Sequence, residues 1–124
     1  MTTSTEIVAA YFDGVKAGDA EAVADLFAPD GRLTNAAGTL EGADAIRRMY
    51  RNGLTAGTMT PSPHAPVIHG DQVAVEIDLD ANGKSLKLGD FFTIRDGKIQ
   101  DLTIYSLTPT DARVFEDVGV DPLK

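Results

Sequence analysis

The feature that most constrains the fold is a change in hydrophobic period half-way along the chain. Apolar residues recur at helical spacing in the first half, whereas residues 73–107 alternate apolar and polar side chains in three runs. Asn82-Gly83 and Asp96-Gly97 separate these runs, and both dipeptides favour the tight turn of a β-hairpin. Helices that all precede an antiparallel meander predict an α+β domain with the helices on one face of the sheet.

Three helices are predicted, at residues 4–17, at 19–27 with its cap included, and at 43–53. A capping-box pattern over residues 3–6 starts the first helix, and residues 28–31 are expected to break the second. The side chains predicted to face inward from these helices are Ile7, Val8, Tyr11, Phe12, Val15, Val23, Leu26, Phe27, Ile46, Met49 and Tyr50.

The predicted strands cover Arg32–Asn35, residues 73–79, Ser85–Arg95 and Lys98–Leu107. Three prolines interrupt residues 59–69, so we expect any strand there to be irregular or at a sheet edge.

Charge and length narrow the class of protein. The 124 residues suit a single domain over 1–124, with 108–124 as a polar C-terminal tail. Nineteen Asp and Glu against 11 Lys and Arg give a net charge of −8, which argues against nucleic acid and anionic membranes as partners. The absence of cysteine excludes disulfides and fits a reducing compartment. Without a leader or a long apolar run, we expect a soluble cytoplasmic protein.

Two residues stand out as candidates for chemistry. Asp90 shares a strand face with Leu88, Phe92 and Ile94, and a carboxylate among apolar neighbours is unfavourable unless it is paired or protonated. Tyr11 belongs to the inward stripe of the first helix, where its hydroxyl needs a partner. Taken alone, Asp90 could equally lie at the solvated end of its strand and Tyr11 could be a core residue. Together they suggest polar groups that converge in an apolar cavity.

Other chemistries find no support in the sequence. His64 and His69 lie five residues apart on an extended segment, so their side chains point to opposite faces and do not form a metal pair. No glycine-rich phosphate loop is present. We therefore expect neither a metal nor a cofactor.

Five short segments agree in order and spacing with one known family. They are Tyr11–Asp19, Leu26–Asp30, Ala45–Tyr50, Asp90–Phe92 and Asp96–Ile99. Over about residues 5–107 the chain resembles the steroid Δ-isomerases, or ketosteroid isomerases, of the nuclear transport factor 2-like (SnoaL-like) superfamily. The resemblance implies a cone-shaped fold in which three N-terminal helices pack on a curved antiparallel sheet.

The same resemblance implies roles for four residues. Tyr11 falls on the oxyanion-hole tyrosine, and Asp90 falls on the oxyanion-hole aspartic acid, which the family keeps protonated so that it can donate a hydrogen bond. Tyr50 falls on the tyrosine that supports the first one. Asn35 stands where the family has its proton-shuttling aspartate, and an amide is not a useful base. Glu41 and His64 are the replacement bases that the sequence offers.

We therefore predict a cofactor-independent isomerase that enolises a polycyclic ketone such as a steroid or polyketide. The alternatives are a polyketide cyclase or dehydratase, and a non-catalytic carrier of such a ligand, which the missing base favours. The predicted pocket walls are Val15, Phe27, Leu33, Ile46, Met49, Val75, Leu88, Phe92, Leu102 and Ile104.

We also expect a homodimer, both from the resemblance and from the outward-facing residues of the meander. These residues, Phe91, Thr93, Thr103 and Tyr105, make that face too apolar for a fully solvated sheet.

Overall fold

Three helices precede or lie beside one seven-stranded sheet in the computed structural model, which describes residues 3–54 and 57–107. The helices are α1 (Ser4–Ala17), α2 (Ala20–Ala24) and α3 (Ala43–Gly53). The α+β class predicted from the sequence is confirmed. The predicted tail, residues 108–124, lies outside the described residues. Within the described ranges, no helix has the length and apolar character needed to cross a membrane.

The sheet is curved and does not close on itself. Its strands follow the order β2-β1-β7-β6-β5-β3, and β4 also pairs with β5. All described pairs are antiparallel except β1 with β7, which run parallel. The strands are β1 (Phe27–Asn35), β2 (Gly38–Glu41), β3 (Met59–Pro63), β4 (Val67–His69), β5 (Gln72–Ala81), β6 (Lys84–Arg95) and β7 (Lys98–Leu107).

The ends of α1 follow from its sequence. The Thr3 hydroxyl accepts a hydrogen bond from the Glu6 amide at 3.1 Å, and the Glu6 side chain accepts one from the Thr3 amide, so the capping box is complete. Gly18 ends the helix with φ = 70°, a left-handed conformation that glycine adopts without steric cost. The predicted span of 4–17 is confirmed.

The second helix is shorter than predicted. It ends at Ala24, and Phe27 begins β1 instead of completing the helix. The Leu26 carbonyl accepts a hydrogen bond from the Ile99 amide at 2.8 Å, so the backbone has already joined the sheet at this point. The β1–β7 register shifts between Phe27 and Arg32. Residues 28–31, which were expected to break the helix, lie within β1 at this irregularity.

The remaining strand predictions have mixed outcomes. Strand β2 was not predicted, because its four residues are mostly exposed and show no alternation. The proline-rich segment forms two short strands, β3 and β4, that pair with the same neighbour, β5, so the expected edge position is confirmed. The span Lys98–Leu107 agrees with the prediction at both ends.

The sheet has an inner face, which carries Leu88, Asp90 and Phe92 of β6, and an outer face, which carries Lys87 and Phe91. The helices pack on the inner face, where the Tyr11 ring of α1 meets the Phe92 ring edge-on at a centroid distance of 5.4 Å. Fully buried side chains on both layers form the core: Ile7, Val23, Leu33, Ile46, Val73, Ile77, Phe92, Ile99 and Leu102. The core therefore lies between the helices and the middle of the sheet.

Candidate active site

A cavity of about 490 Å³ opens on the inner face beside this core. Its volume lies within the range of sites that bind drug-sized molecules. Side chains from α1, α3 and five strands contribute to a mostly apolar lining. The lining residues are Tyr11, Phe12, Val15, Asn35, Ala36, Ala37, Met49, Tyr50, Gly53, Leu54, Met59, Pro61, Ile77, Leu79, Leu86, Leu88, Asp90, Ile104 and Ser106.

Two buried tyrosines contribute hydroxyl groups to this cavity. The hydroxyls of Tyr11 and Tyr50 are 2.7 Å apart and share a hydrogen bond. Burial raises the pKa of Tyr11 well above its usual value, and the neighbouring Tyr50 and Asp90 raise it further. Burial also raises the pKa of Tyr50. Both phenols are therefore neutral at physiological pH, and if Tyr50 donates to Tyr11, the Tyr11 proton is free to bind a ligand oxygen.

Asp90 is the carboxyl group of the cavity. Its side chain is 2% exposed, and its Cα pairs in register with Val75 and Ile104, so aliphatic residues flank it on both neighbouring strands. No donor in the described part of the chain reaches its Oδ1 atom. Loss of water contact raises the pKa of Asp90 to about 7. Because Asp90 lines the cavity, a ligand bound there can supply the hydrogen bond that this carboxyl lacks.

Asn35 lies at the mouth of the cavity, where β1 turns into β2. Its Oδ1 accepts a hydrogen bond from the Ala37 amide at 2.9 Å. Because a backbone N–H can only donate, the atom that faces it is the oxygen, and the amide nitrogen is the group left available. Asn35 is among the residues that line the cavity, and its Nδ2 group is available as a hydrogen-bond donor.

The predicted pocket walls divide into two groups. Val15, Met49, Leu88 and Ile104 line the cavity. The other six pack in the hydrophobic core and are not among the residues that line the cavity. These are Phe27, Leu33, Ile46, Val75, Phe92 and Leu102.

Neither replacement base lines the cavity. Glu41 is exposed at the end of β2. His64 is half exposed on the outer face, and its Nε2 lies 2.7 Å from Asp78 Oδ2. This hydrogen bond lowers the pKa of the Asp78 carboxyl. Nor do residues 3–54 and 57–107 contain a cluster of His, Asp and Glu side chains that could hold a metal ion.

Several lining residues were missed by the sequence reasoning. Leu79, Leu86 and Ser106 occupy the inner face near the ends of β5, β6 and β7. Their alternation with outward residues was visible in the sequence. They were overlooked because the pocket was placed over the middle of the sheet, whereas it lies toward the strand ends.

Comparison with known proteins agrees with this architecture. A family model of the SnoaL-like domain matches residues 8–102. The chain belongs to the SnoaL-like domain family. No curated protein sequence matches this SnoaL-like domain.

Solved structures with the same fold cover most of this SnoaL-like domain. A proposed polyketide cyclase from Sinorhizobium meliloti is 30% identical with a TM-score of 0.72, over 80% of this chain and 93% of that one. A proposed ketosteroid isomerase from Kribbella flavida is 20% identical with a TM-score of 0.74, over 85% and 78% of the two chains. A nuclear transport factor 2-like protein from Cytophaga hutchinsonii is 18% identical with a TM-score of 0.74, over 94% and 97%. The nuclear transport factor 2-like fold expected from the sequence is confirmed.

Proposed function

We propose that this SnoaL-like domain binds a hydrophobic polycyclic ketone and catalyses its enolisation without a cofactor. The observation that carries the proposal is Asp90, a carboxyl group with an unpartnered buried oxygen and a pKa of about 7 in an apolar cavity. A carboxyl whose pKa lies close to the working pH can both accept and return a proton.

Enolisation needs a proton acceptor as well as a donor to the carbonyl oxygen. Tyr11 supplies the donor, and Tyr50 supports it through the 2.7 Å hydrogen bond. Among the described lining residues Asp90 is the one carboxyl, and the amide of Asn35 has no useful basicity. If Asp90 served as a permanently protonated donor, as the resemblance implies, the cavity would lack an acceptor. We therefore assign the acceptor role to ionised Asp90.

The proposed step is a proton transfer that balances within the site. The carbon–hydrogen bond next to the carbonyl breaks, and the proton passes to Asp90. The electron pair forms the carbon–carbon double bond of the enolate, whose oxygen accepts the Tyr11 hydrogen bond. Return of the proton to another carbon completes an isomerisation. If the enolate carbon instead attacks a second carbonyl of the same molecule, the carbonyl π bond breaks, its oxygen takes the proton from Asp90, and the reaction is a cyclisation.

The cyclisation is the second candidate, because the structure that is 30% identical is described as a proposed polyketide cyclase. A non-catalytic carrier is the third. Protonated Asp90 and Tyr11 would then both donate to a phenolic or enolate oxygen of the ligand, and the amide at Asn35 fits a site that does no proton transfer.

Absorbance of the conjugated enone formed from a Δ5-3-ketosteroid tests the proposal. We expect a rate that rises as the pH passes through about 7, where Asp90 ionises. Asp90→Asn should lower that rate by about 10²-fold or more, and Asn35→Asp, which adds a carboxylate, should raise it. A rate equal to that of buffer at saturating protein, for the wild type and for Asn35→Asp, would end the isomerase proposal.

The carrier is tested by calorimetric titration with 2-naphthol. Tight binding that weakens in both Tyr11→Phe and Asp90→Ala, without turnover of the steroid, would favour the carrier. If neither substitution changes the affinity, the paired donor site is wrong.

We also propose a homodimer formed through the outer face. Phe91 and Tyr105 are 53% and 61% exposed, and their rings stack edge-on with centroids 5.5 Å apart. Val67 on β4 is 70% exposed, and its register partner Ala74 pairs with Phe91 across β5 and β6. Such a contiguous apolar surface supports an interface between two copies.

A further inference from the structure

We infer that Asn35 is a specificity-determining residue that binds a second oxygen of the ligand, so that the site selects molecules with two oxygens on one apolar skeleton. This inference rests on the proposed function, in which the first oxygen lies at Tyr11 and Asp90. The position of Asn35 in the sheet and the fixed orientation of its amide carry it.

Asp90, Ile104 and Asn35 form one row across the inner face. Asp90 pairs directly with Ile104. Strands β1 and β7 run parallel with Thr34 opposite Thr103, so Asn35 lies one residue further, beside Ile104. Two strand spacings of about 4.8 Å place the Cα atoms of Asp90 and Asn35 roughly 10 Å apart. A ligand that lies over Ile104 can therefore contact both polar groups at once.

The orientation of the Asn35 amide determines which group it can bind. The hydrogen bond from the Ala37 amide at 2.9 Å occupies Oδ1 and holds the side chain in a turn. The Nδ2 group has no hydrogen-bond partner among the residues that the structure describes, and the side chain lines the cavity. Because an amide nitrogen donates and does not accept, the matching ligand group is an acceptor such as a ketone or ether oxygen.

The favoured substrate class is therefore a compact polycyclic molecule with two oxygens, one of them a carbonyl. A site that donates a hydrogen bond to a ligand oxygen loses affinity for the analogue without it, since the donor is then buried without a partner. A simple monoketone would lack this contact.

A matched pair of ligands tests the inference. 7-Hydroxy-1-tetralone and 5,6,7,8-tetrahydro-2-naphthol share a skeleton and a phenol, and only the first has the ketone. Calorimetric titration of the wild type should show about fivefold tighter binding of the tetralone, the size of one ordinary hydrogen bond. In Asn35→Asp, measured at pH 8, this preference should disappear, because the carboxylate keeps the acceptor for the Ala37 amide but has no donor.

Two further variants make the result decisive. Asn35→Ala should also lose the preference while it still binds the tetrahydronaphthol. Thr34→Val, which alters the adjacent side chain bonded to Thr39 at 2.9 Å, should keep it. A preference that persists in both Asn35 variants, or none in the wild type, would overturn the role of Asn35. Failure of the tetrahydronaphthol to bind the wild type would instead refute the proposed function.

Discussion

Replacement of Asp90 by asparagine should stabilise the fold more in alkaline than in mildly acidic solution. The pKa of Asp90 rises from its ordinary 3.8 to about 7 because the folded chain removes the carboxyl from water. The folded state therefore binds this proton more tightly than the unfolded state does. As the pH rises from 3.8 to about 7, the wild type loses stability. Above that range this group causes no further loss.

The size of this loss follows from the shift in pKa. One unit corresponds to about 1.36 kcal/mol, so a rise of about three units destabilises the folded state by about 4 kcal/mol at alkaline pH. About half of that, roughly 2 kcal/mol, falls between pH 5.5 and pH 8.5. The lower of these two pH values lies one unit above the isoelectric point of about 4.5, and the net negative charge at that pH keeps the protein in solution.

Urea unfolding followed by circular dichroism measures the effect. The free energy of unfolding of Asp90→Asn minus that of the wild type should be about 2 kcal/mol larger at pH 8.5 than at pH 5.5. The cost of burying the new amide is the same at both pH values and cancels. Asp13→Asn, on the exposed face of α1, controls for the loss of one carboxylate. An equal difference at both pH values would refute the account of Asp90 as a desolvated acid.

Two further predictions concern packing and assembly. A Cβ atom added at Gly14 would meet Val23 Cγ2 at 2.7 Å. Gly14→Ala should therefore destabilise the fold by about 1–3 kcal/mol in urea unfolding. Gly53 has open space around it, so the control Gly53→Ala should not destabilise the fold. Phe91→Glu should convert a dimer into a monomer in sedimentation at micromolar concentration, with Ala10→Glu on the exposed side of α1 as the control. A wild type that sediments as a monomer would contradict the proposed interface.

The sequence predicted the elements whose periodicity extends over many residues. Helix α1 and strands β5–β7 have long regular patterns, and their ends carry strong signals such as the capping box at residues 3–6 and the Asp96-Gly97 turn. The predicted boundary between α2 and β1 was wrong. Phe27 would be buried in a helix and is buried in the strand, so its apolar side chain alone does not distinguish the two structures. The hydrogen bond from the Ile99 amide to the Leu26 carbonyl, 73 residues apart in sequence, determines that the strand begins here.

The candidate site was predicted in part. Tyr11 and Asp90 were found as polar groups on apolar faces, Tyr50 was added by the family resemblance, and the structure brings all three to one cavity. The walls were harder to predict, since alternation tells which face a residue occupies and not how far along the strand the core ends. Phe92 and Leu88 share the inner face of β6, yet Phe92 packs in the core and Leu88 lines the cavity.

On the inner face of β6, Asp90 lies between Phe92, which packs in the core, and Leu88, which lines the cavity. This position affects how such a protein can evolve. Truncation of Phe92 would cost about 3–5 kcal/mol, as expected for an aromatic residue of the core. Substitutions at Leu86 or Ser106 would reshape the ligand space near the strand ends without opening a void in the core. The Asp90 carboxyl is thus anchored beside the core, while cavity positions such as Leu86 and Ser106 can change at little cost in stability. Under the proposed function, the range of ligands can therefore change while the fold keeps its stability.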